Sequence, residues 1–109
     1  MSRNIGAMRD WVEVVNPVRI SDGALGSKRE DMILFATWAR IQPASGREIF
    51  RYQHLEQEIS HVVTVRYNAK IAQGQYIRKG DRKLYIMSVV NRDERQRFLE
   101  LACREGGQT

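Results

Sequence analysis

The amino-acid sequence predicts a mainly β protein: a small antiparallel β-barrel of about six strands, with one α-helix at about residues 45–58 and a long loop at about residues 19–31. Short runs of β-branched and aromatic residues recur between turn signals, a pattern typical of a small barrel or sandwich. One segment combines a helix-capping signal with the helical spacing of apolar residues. At 109 residues, the chain is expected to form a single domain over residues 1–109.

The first third of the chain predicts two strands separated by the loop. β-branched residues over Trp11–Val18 indicate a strand, which Pro17 is expected to end. The next segment, Arg19–Asp31, carries two glycines and mixed charges, and it is predicted to be a loop or a long hairpin tip. Met32–Pro43 is the longest apolar stretch and alternates like a strand, although the period alone also allows a buried helix. The alternation places Ile33 and Phe35 on one face and Trp38 and Arg40 on the other.

The helix is predicted from Ser45 to about Glu58. Ser45 and Glu48 have the spacing of a capping box, in which each side chain accepts a hydrogen bond from a backbone amide of the other residue. Ile49 and Tyr52 follow at helical spacing and are expected to face inward. High β propensity then predicts a strand over Ser60–Tyr67.

The C-terminal third is predicted to form two hairpins. Gly80, followed by Asp81, suits a tight turn between two extended arms, because glycine tolerates the positive φ that such turns require. The last segment, "VVNRDERQRFLELACRE", has good helix formers, but the alternation of Leu99, Leu101 and Cys103 favours a strand. We therefore predict a strand at Leu84–Val90, a charged turn at Asn91–Arg95 and a returning strand at Arg97–Arg104.

Few residues are candidates for catalysis or metal binding. His54 and His61 are the only histidines, and the sequence around them lacks the closely paired ligands of zinc sites. Cys103, the only cysteine, has no base beside it and is expected to be a small buried hydrophobic residue. The sequence therefore predicts no enzyme, no cofactor and no metal site.

The positive charge leaves a nucleic-acid-binding protein as the alternative. Lysine and arginine number 18 against 13 acidic residues, for a net charge of +5. Basic and aromatic residues are interleaved as in small barrels that bind single-stranded nucleic acid. However, Phe50, Tyr67 and Tyr85 fall on faces predicted to be core. The densest basic cluster flanks the predicted hairpin turn, where it either faces phosphate or is simply solvated: Arg78, Lys79, Arg82 and Lys83.

Three blocks of the sequence, taken in order, resemble the head-tail joining proteins of tailed bacteriophages, also called head-closure or stopper proteins. The blocks are "TWARIQPASGREIF" (Thr37–Phe50), "YQHLEQEISHVVTVRYNAKI" (Tyr52–Ile71) and "RKLYIMSVVNRDERQRFLELACRE" (Arg82–Glu105). The signature is Trp-Ala-x-Ile-x-Pro before Ser-Gly-Arg-Glu, then "HxVTxRY", and finally Asn-x-Asp-Glu-Arg before "LxLxCxE". The N-terminal third departs from the pattern, in which a more arginine-rich first strand is expected.

The resemblance implies a structural protein of the virion neck, assembled in the host cytoplasm. Copies would form a ring beneath the portal and adaptor rings, close the DNA exit and present a surface to tail proteins. The resemblance also allows the protein to be a monomer before assembly. It allows non-specific contact with genomic DNA, because a ring around DNA meets phosphates without reading sequence. No membrane is implied.

Three segments are the candidates for contacts with neighbouring subunits or with the channel. The first is the loop, with Arg19, Asp22, Gly23, Gly26, Lys28 and Arg29. The second is the basic hairpin, defined as Arg78, Lys79, Arg82 and Lys83. The third is the helix, which would offer Arg47, Arg51 and Glu58 to adjacent subunits, with a solvated polar face as the equally open alternative.

Overall fold

Six antiparallel strands close into a barrel in the computed structural model, which describes residues 8–21, 27–91 and 97–106. The order around the barrel is β1-β2-β3-β6-β5-β4, and β4 pairs with β1 to complete it. The predicted fold class, a six-stranded antiparallel barrel with one helix, is confirmed. The elements are β1 Asp10–Ser21, β2 Ser27–Pro43, α1 Gly46–Arg51, β3 His61–Arg66, β4 Tyr76–Lys79, β5 Arg82–Val90 and β6 Phe98–Glu105.

The barrel interior is filled by alternate residues of every strand. In β6, Leu99, Leu101 and Cys103 all point inward and are almost fully buried. Leu99 lies opposite Val65 of β3, and Leu101 lies opposite Val63. The predicted returning strand is therefore confirmed, because pairing on both sides outweighs the weak helix propensity of this segment. The residues predicted to form the turn before it lie largely outside the described residues.

A second, smaller core lies on the outside of the barrel, beneath α1. Tyr52 and Ile59 cover Val62 of β3 and Ala102 of β6, and Ile49 packs against this cluster. The expectation that Ile49 and Tyr52 face inward is confirmed. The helix is shorter than predicted, however, and ends at Arg51. The following residues are mostly exposed, so a longer helix would gain little packing to offset its ordering.

Strands β1 and β2 continue beyond the barrel as a two-stranded ribbon, which we call the arm. β4 pairs with β1 only at residues 13–15, and β3 pairs with β2 only from Ala39 onward. Six residue pairs, from Asn16 opposite Met32 to Ser21 opposite Ser27, therefore extend past the closed wall. At the usual rise per residue, these six pairs span about 20 Å.

The arm corrects two expectations about the N-terminal third. The predicted loop over Arg19–Asp31 is mostly strand, so the hairpin-tip alternative is the right one, and only residues 22–26 of it lie outside the described residues. Pro17 does not end β1. Beyond Val15, one edge of β1 is unpaired among the described residues, and a proline is tolerated where no ladder hydrogen bond is required.

A register shift at the base of the arm changes which residues face the core. Val14 lies opposite Phe35, but Val15 lies opposite Ile33, so Leu34 is the extra residue of a bulge. Phe35 packs against the core, whereas Ile33 is 49% exposed. Simple alternation placed these two residues on one face, and it fails here because a bulge moves the following residues to the other side.

Truncation of two isoleucines tests this division of the chain into core and surface. We expect Ile77→Ala, at a side chain with no exposed surface, to lower the free energy of unfolding by about 2–5 kcal/mol, because it leaves a cavity in the barrel. Ile33→Ala removes the same atoms at the exposed position and is expected to cost less than about 1 kcal/mol. Urea unfolding measures both values, and equal losses would contradict the inward and outward assignment.

Candidate functional site

Metal-ligating and nucleophilic side chains are dispersed in the part of the chain that the structure describes. Within residues 8–21, 27–91 and 97–106, no group of three or more His, Cys, Asp or Glu side chains is placed to hold a metal ion. Burial raises the pKa of the Cys103 thiol, which keeps it protonated and unreactive. Across those ranges, no helix is long and apolar enough to cross a membrane.

The basic hairpin lies at the tight turn between β4 and β5, where Gly80 has a φ of +58° as the sequence predicted. Its cations point at carboxylates of neighbouring strands. Arg78 donates from Nε and Nη2 to Oε1 of Glu13 at 2.8 and 2.5 Å. Lys79 is hydrogen-bonded through its ammonium group to Asp10. The hairpin is thereby attached to β1 by two ion pairs.

The other two cations of the basic hairpin also have partners. Arg82 donates from Nε to Oε2 of Glu105 at 2.9 Å and from Nη2 to Oε1 at 3.3 Å. Lys83 lies over the ring of Tyr76, with its Nζ 5.3 Å from the ring centroid. Three of the four cations are thus ion-paired within the chain, which leaves little free positive charge at this tip for a phosphate.

These ion pairs also shift the acidity of their carboxylates. The hydrogen bond from Arg82 lowers the pKa of Glu105. For Asp10, burial by itself raises the pKa, but hydrogen bonds from Lys79 and from the Ile41 amide outweigh it and lower the pKa overall. Both carboxylates therefore favour their charged forms in the folded state.

Tyr76 connects the barrel to the base of the arm. Its ring is 1% exposed and packs against Tyr85, with centroids 5.5 Å apart. Its hydroxyl donates to Oδ2 of Asp31 at 2.6 Å. Burial and this hydrogen bond raise the pKa of Tyr76 to about 12. The arm is therefore tethered to β4 by a side-chain contact as well as by the strand ladder.

Helix α1 begins with the predicted capping box. The Ser45 amide donates to Oε1 of Glu48 at 2.8 Å, and the Glu48 amide donates to the Ser45 hydroxyl at 3.2 Å. The candidate contacts Arg47 and Glu58 are exposed. Phe50 is 69% exposed, so the expectation that it belongs to the core is wrong, because the buried face of this short helix is formed by Ile49 and Tyr52.

A buried carboxylate, Glu100, fixes the helix to the barrel. Glu100 is 6% exposed on the outer face of β6 and accepts a hydrogen bond from the Tyr52 hydroxyl at 2.8 Å. The candidate residue Arg51 lies nearby, with its Nη1 3.8 Å from Oε2 of Glu100. Sequence analysis missed this group. Alternation correctly places Glu100 on the outer face, but it does not reveal that the helix covers it.

The arm carries the remaining candidates. Arg19 of β1 lies directly opposite Arg29 of β2, and Lys28 lies opposite Ile20. The structure thus brings three cationic residues of the predicted loop onto one short ribbon. Asp22, Gly23 and Gly26 lie outside the described residues.

An exposed pair of tryptophans is the feature that sequence analysis did not single out. Trp11 and Trp38 lie opposite each other on the outer face of β1 and β2, with ring centroids 5.0 Å apart and planes at 66°. They are 53% and 52% exposed. A cavity of about 430 Å³ lies beside Trp38, and we call it the tryptophan pocket; its lining residues are Met8, Arg9, Trp38 and Arg66.

Sequence signals for this surface were weak. Alternation put Trp38 and Arg40 on one face of β2, and this pairing with a charged residue indicates the outer side. Tyr67 was expected in the core but is 36% exposed, because it follows the last residue of β3. Tyr85 was also expected in the core, but this is wrong: its neighbours Leu84 and Ile86 face the interior, so Tyr85 is half-buried on the outer face of β5.

Comparisons with known proteins agree with the fold. The family model for the phage head completion protein matches residues 3–106, and no curated protein matches significantly. The structure is similar to a chain in the virion of a native gene transfer agent particle, with a TM-score of 0.62, 22% identity, and coverage of 90% of this chain and 94% of that one. It is also similar to the solution structure of a protein from Shigella flexneri 2a, with a TM-score of 0.72, 22% identity, and coverage of 98% and 100%. The family match confirms the resemblance to head-closure proteins.

The contact between Tyr52 and Glu100 is expected to stabilise the fold measurably. Tyr52→Phe removes a donor to a buried carboxylate and should lower the free energy of unfolding by about 1–3 kcal/mol. Tyr67→Phe is the matched control at an exposed ring and should change it by less than about 0.5 kcal/mol. Chemical denaturation monitored by circular dichroism provides the comparison, and a neutral Tyr52→Phe variant would mean that the hydrogen bond does not hold the helix.

The ion pair between Arg82 and Glu105 predicts a pH-dependent contribution to stability. Because the pKa of Glu105 is lowered from its ordinary value of 4.5, the stabilisation is present above that pH and is lost as the pH falls through the lower, folded-state pKa. Arg82→Gln should therefore be less stable than wild type at pH 7, and the difference should shrink below pH 4.5. Lys83→Gln, which removes a neighbouring cation, should show no such convergence in thermal unfolding from pH 7 to pH 2.5.

Proposed function

Since the chain belongs to the family of phage head completion proteins, we propose that it acts at the neck of the virion, where it connects the DNA-filled head to the tail. In this role, copies form a ring on the portal and adaptor proteins, help to close the DNA exit and present a surface to tail proteins. The family is a structural class and not a class of enzymes. The protein would reach this position from the host cytoplasm during assembly.

The arm is the observation that best supports this function. A closed barrel has no unpaired strand edge in its wall, so a strand of another subunit cannot add to the wall by backbone pairing. The two strands that leave the wall at Val15 and Ala39 are the exception. An extension of about 20 Å can reach from the barrel of one subunit toward a neighbour or toward the axis of a ring.

The residues carried by the arm suit both of those destinations. Arg19, Lys28 and Arg29 supply positive charge, and the segment between the strands includes Gly23 and Gly26. Positive charge near a central channel attracts DNA through its phosphates, without sequence preference. The arm is therefore our first candidate for a contact with the channel or with the next subunit, and the exposed residues of α1, including Arg47 and Glu58, are candidates for contacts between adjacent subunits.

The alternative function, binding of single-stranded nucleic acid by the free barrel, has less support. Its best sequence argument was the basic hairpin, and the cations at this tip are mostly paired with Glu13, Asp10 and Glu105. Releasing them for phosphate would cost the attachment of the hairpin to β1 and β6. Within the described ranges, the exposed tryptophans still favour it, because indole rings can stack on bases.

Disruption of the gene in its phage tests the proposed function. We expect infected cells to accumulate free tails and packaged heads that lose their DNA, because neither the exit nor the attachment surface for the tail is completed. Electron microscopy of lysates and nuclease sensitivity of the packaged DNA measure the two effects.

Complementation supplies the control for this experiment. The wild-type gene supplied in trans should restore tailed, infectious particles. Normal infectious particles formed without the protein would overturn the proposed function. Empty heads that had never packaged DNA would also contradict it, since they would place the defect before head closure.

A further inference from the structure

The two tryptophans of the chain both lie on one exposed surface. About half of each ring is accessible, although the rings contact each other. Tryptophan and arginine are the residues that most often dominate the energy of protein interfaces, usually around a pocket from which water is excluded. The tryptophan pocket has this composition, with Trp38 and Met8 as its apolar wall and Arg9 and Arg66 as its charged rim.

The two arginines define what kind of group would fill the tryptophan pocket. Among the described residues, neither Arg9 nor Arg66 forms an ion pair. Arg66 lies above the ring of Phe98, with its guanidinium carbon 6.0 Å from the ring centroid, which leaves its charge available to an incoming carboxylate. A fitting occupant therefore combines an apolar side chain for the indole wall with negative charge for the rim.

The described part of the chain itself presents such a segment. Phe50 on α1 is 69% exposed, the largest exposed fraction among the large apolar side chains of the described residues. Glu56 and Glu58 follow in the exposed turns after the helix and form no ion pair with other described residues. We call these three residues the acidic ridge.

We propose that the tryptophan pocket of one copy binds the acidic ridge of the next copy. This inference rests on the proposed ring and names one of its subunit contacts. The pocket is lined by Met8 and Arg9, which precede β1, by Trp38 of β2 and by Arg66 at the end of β3, whereas the ridge lies on α1 and the turns that follow it. Because the two surfaces differ, the contact is heterologous, and repetition of one rotation around an axis would close it into a ring.

The contact is expected to be weak between two free subunits. Stable interfaces bury more than roughly 1,000 Å² in total, and a small pocket filled by a few side chains covers less than that. On a portal and adaptor, however, the copies are held side by side, and the resulting high effective concentration compensates for the low affinity of each contact. Weak pairing in solution is therefore consistent with a free monomer.

Tryptophan fluorescence tests the proposal, because Trp38 lines the pocket, Trp11 contacts Trp38, and the chain has no other tryptophan. We expect the emission of the purified protein to shift to the blue as its concentration rises toward the millimolar range, because the pocket becomes covered. Phe50→Ala and Glu58→Arg should raise the midpoint of this shift at least tenfold. Their emission in dilute solution should match wild type, since the substituted residues reach the tryptophans only from another copy.

Charge reversal provides the matched controls. Arg66→Glu should abolish the shift, and combining it with Glu58→Arg should restore the shift by re-forming the ion pair in the opposite sense. Lys70→Glu makes the same change at an exposed cation that does not line the pocket and should leave the shift unchanged. In parallel, a mixture of Glu58→Cys and Arg66→Cys variants should form disulfide-linked dimers under mild oxidation, while the buried Cys103 does not compete.

Absence of both the concentration-dependent shift and the disulfide would overturn the proposal. Quenching of the emission by oligothymidylate at low salt, without any self-association, would also overturn it and assign the tryptophans to nucleic acid. These failures are distinct from failure of the proposed function. If the phage still requires the gene for stable, tailed heads, the neck role stands and the ring uses other contacts.

Discussion

The narrow seam between β1 and β4 is the contact on which the barrel depends. Three residue pairs close the wall there, from Glu13 opposite Arg78 to Val15 opposite Tyr76. Val14 and Ile77 fill the core directly behind the seam and have no exposed surface. Ion pairs between partly exposed side chains, such as Arg78 with Glu13, contribute little to stability, because solvent screens the charges and ordering two long side chains costs entropy. Burial and the backbone ladder therefore hold the barrel closed, and the basic hairpin mainly fixes the register of this short contact.

The position of the seam also determines where the arm begins. Once the pairing with β4 ends at Val15, the register shift opposite Leu34 turns β1 and β2 away from the wall. Among the described residues, the two strands pair only with each other beyond this point, and Tyr76 holds their base through Asp31. A ribbon of this kind has few core contacts and is the least stable part of such a fold. A rigid barrel and a less constrained arm are thus produced by one topological feature.

The sequence predicted those features that depend on neighbouring residues. Ser45 and Glu48 are three positions apart, and the positive φ of Gly80 is a local property, so both signals were reliable. Leu99 and Leu101 alternate over a strand that pairs on both sides. By contrast, Arg78 and Glu13 are separated by 65 positions, and no local pattern indicates that they meet. The exposure of Phe50 was missed for a similar reason, because it depends on where the helix ends against the barrel.

Charge pairing within the chain explains which surfaces remain for partners. The net charge of +5 suggested that phosphate or a neighbour would bind at the basic hairpin. In the fold, however, most cations of the hairpin are paired with Asp10, Glu13 and Glu105. Among the described residues, Arg9 and Arg66 form no such pairs, and they line a pocket with the half-exposed Trp38. The charges of an ion pair within the chain stabilise the fold and are not available to a partner. An unpaired arginine next to apolar surface, by contrast, retains its attraction for a carboxylate. For this reason, the distribution of paired and unpaired charge, and not the total charge, favours the tryptophan pocket as the surface that binds a specific partner.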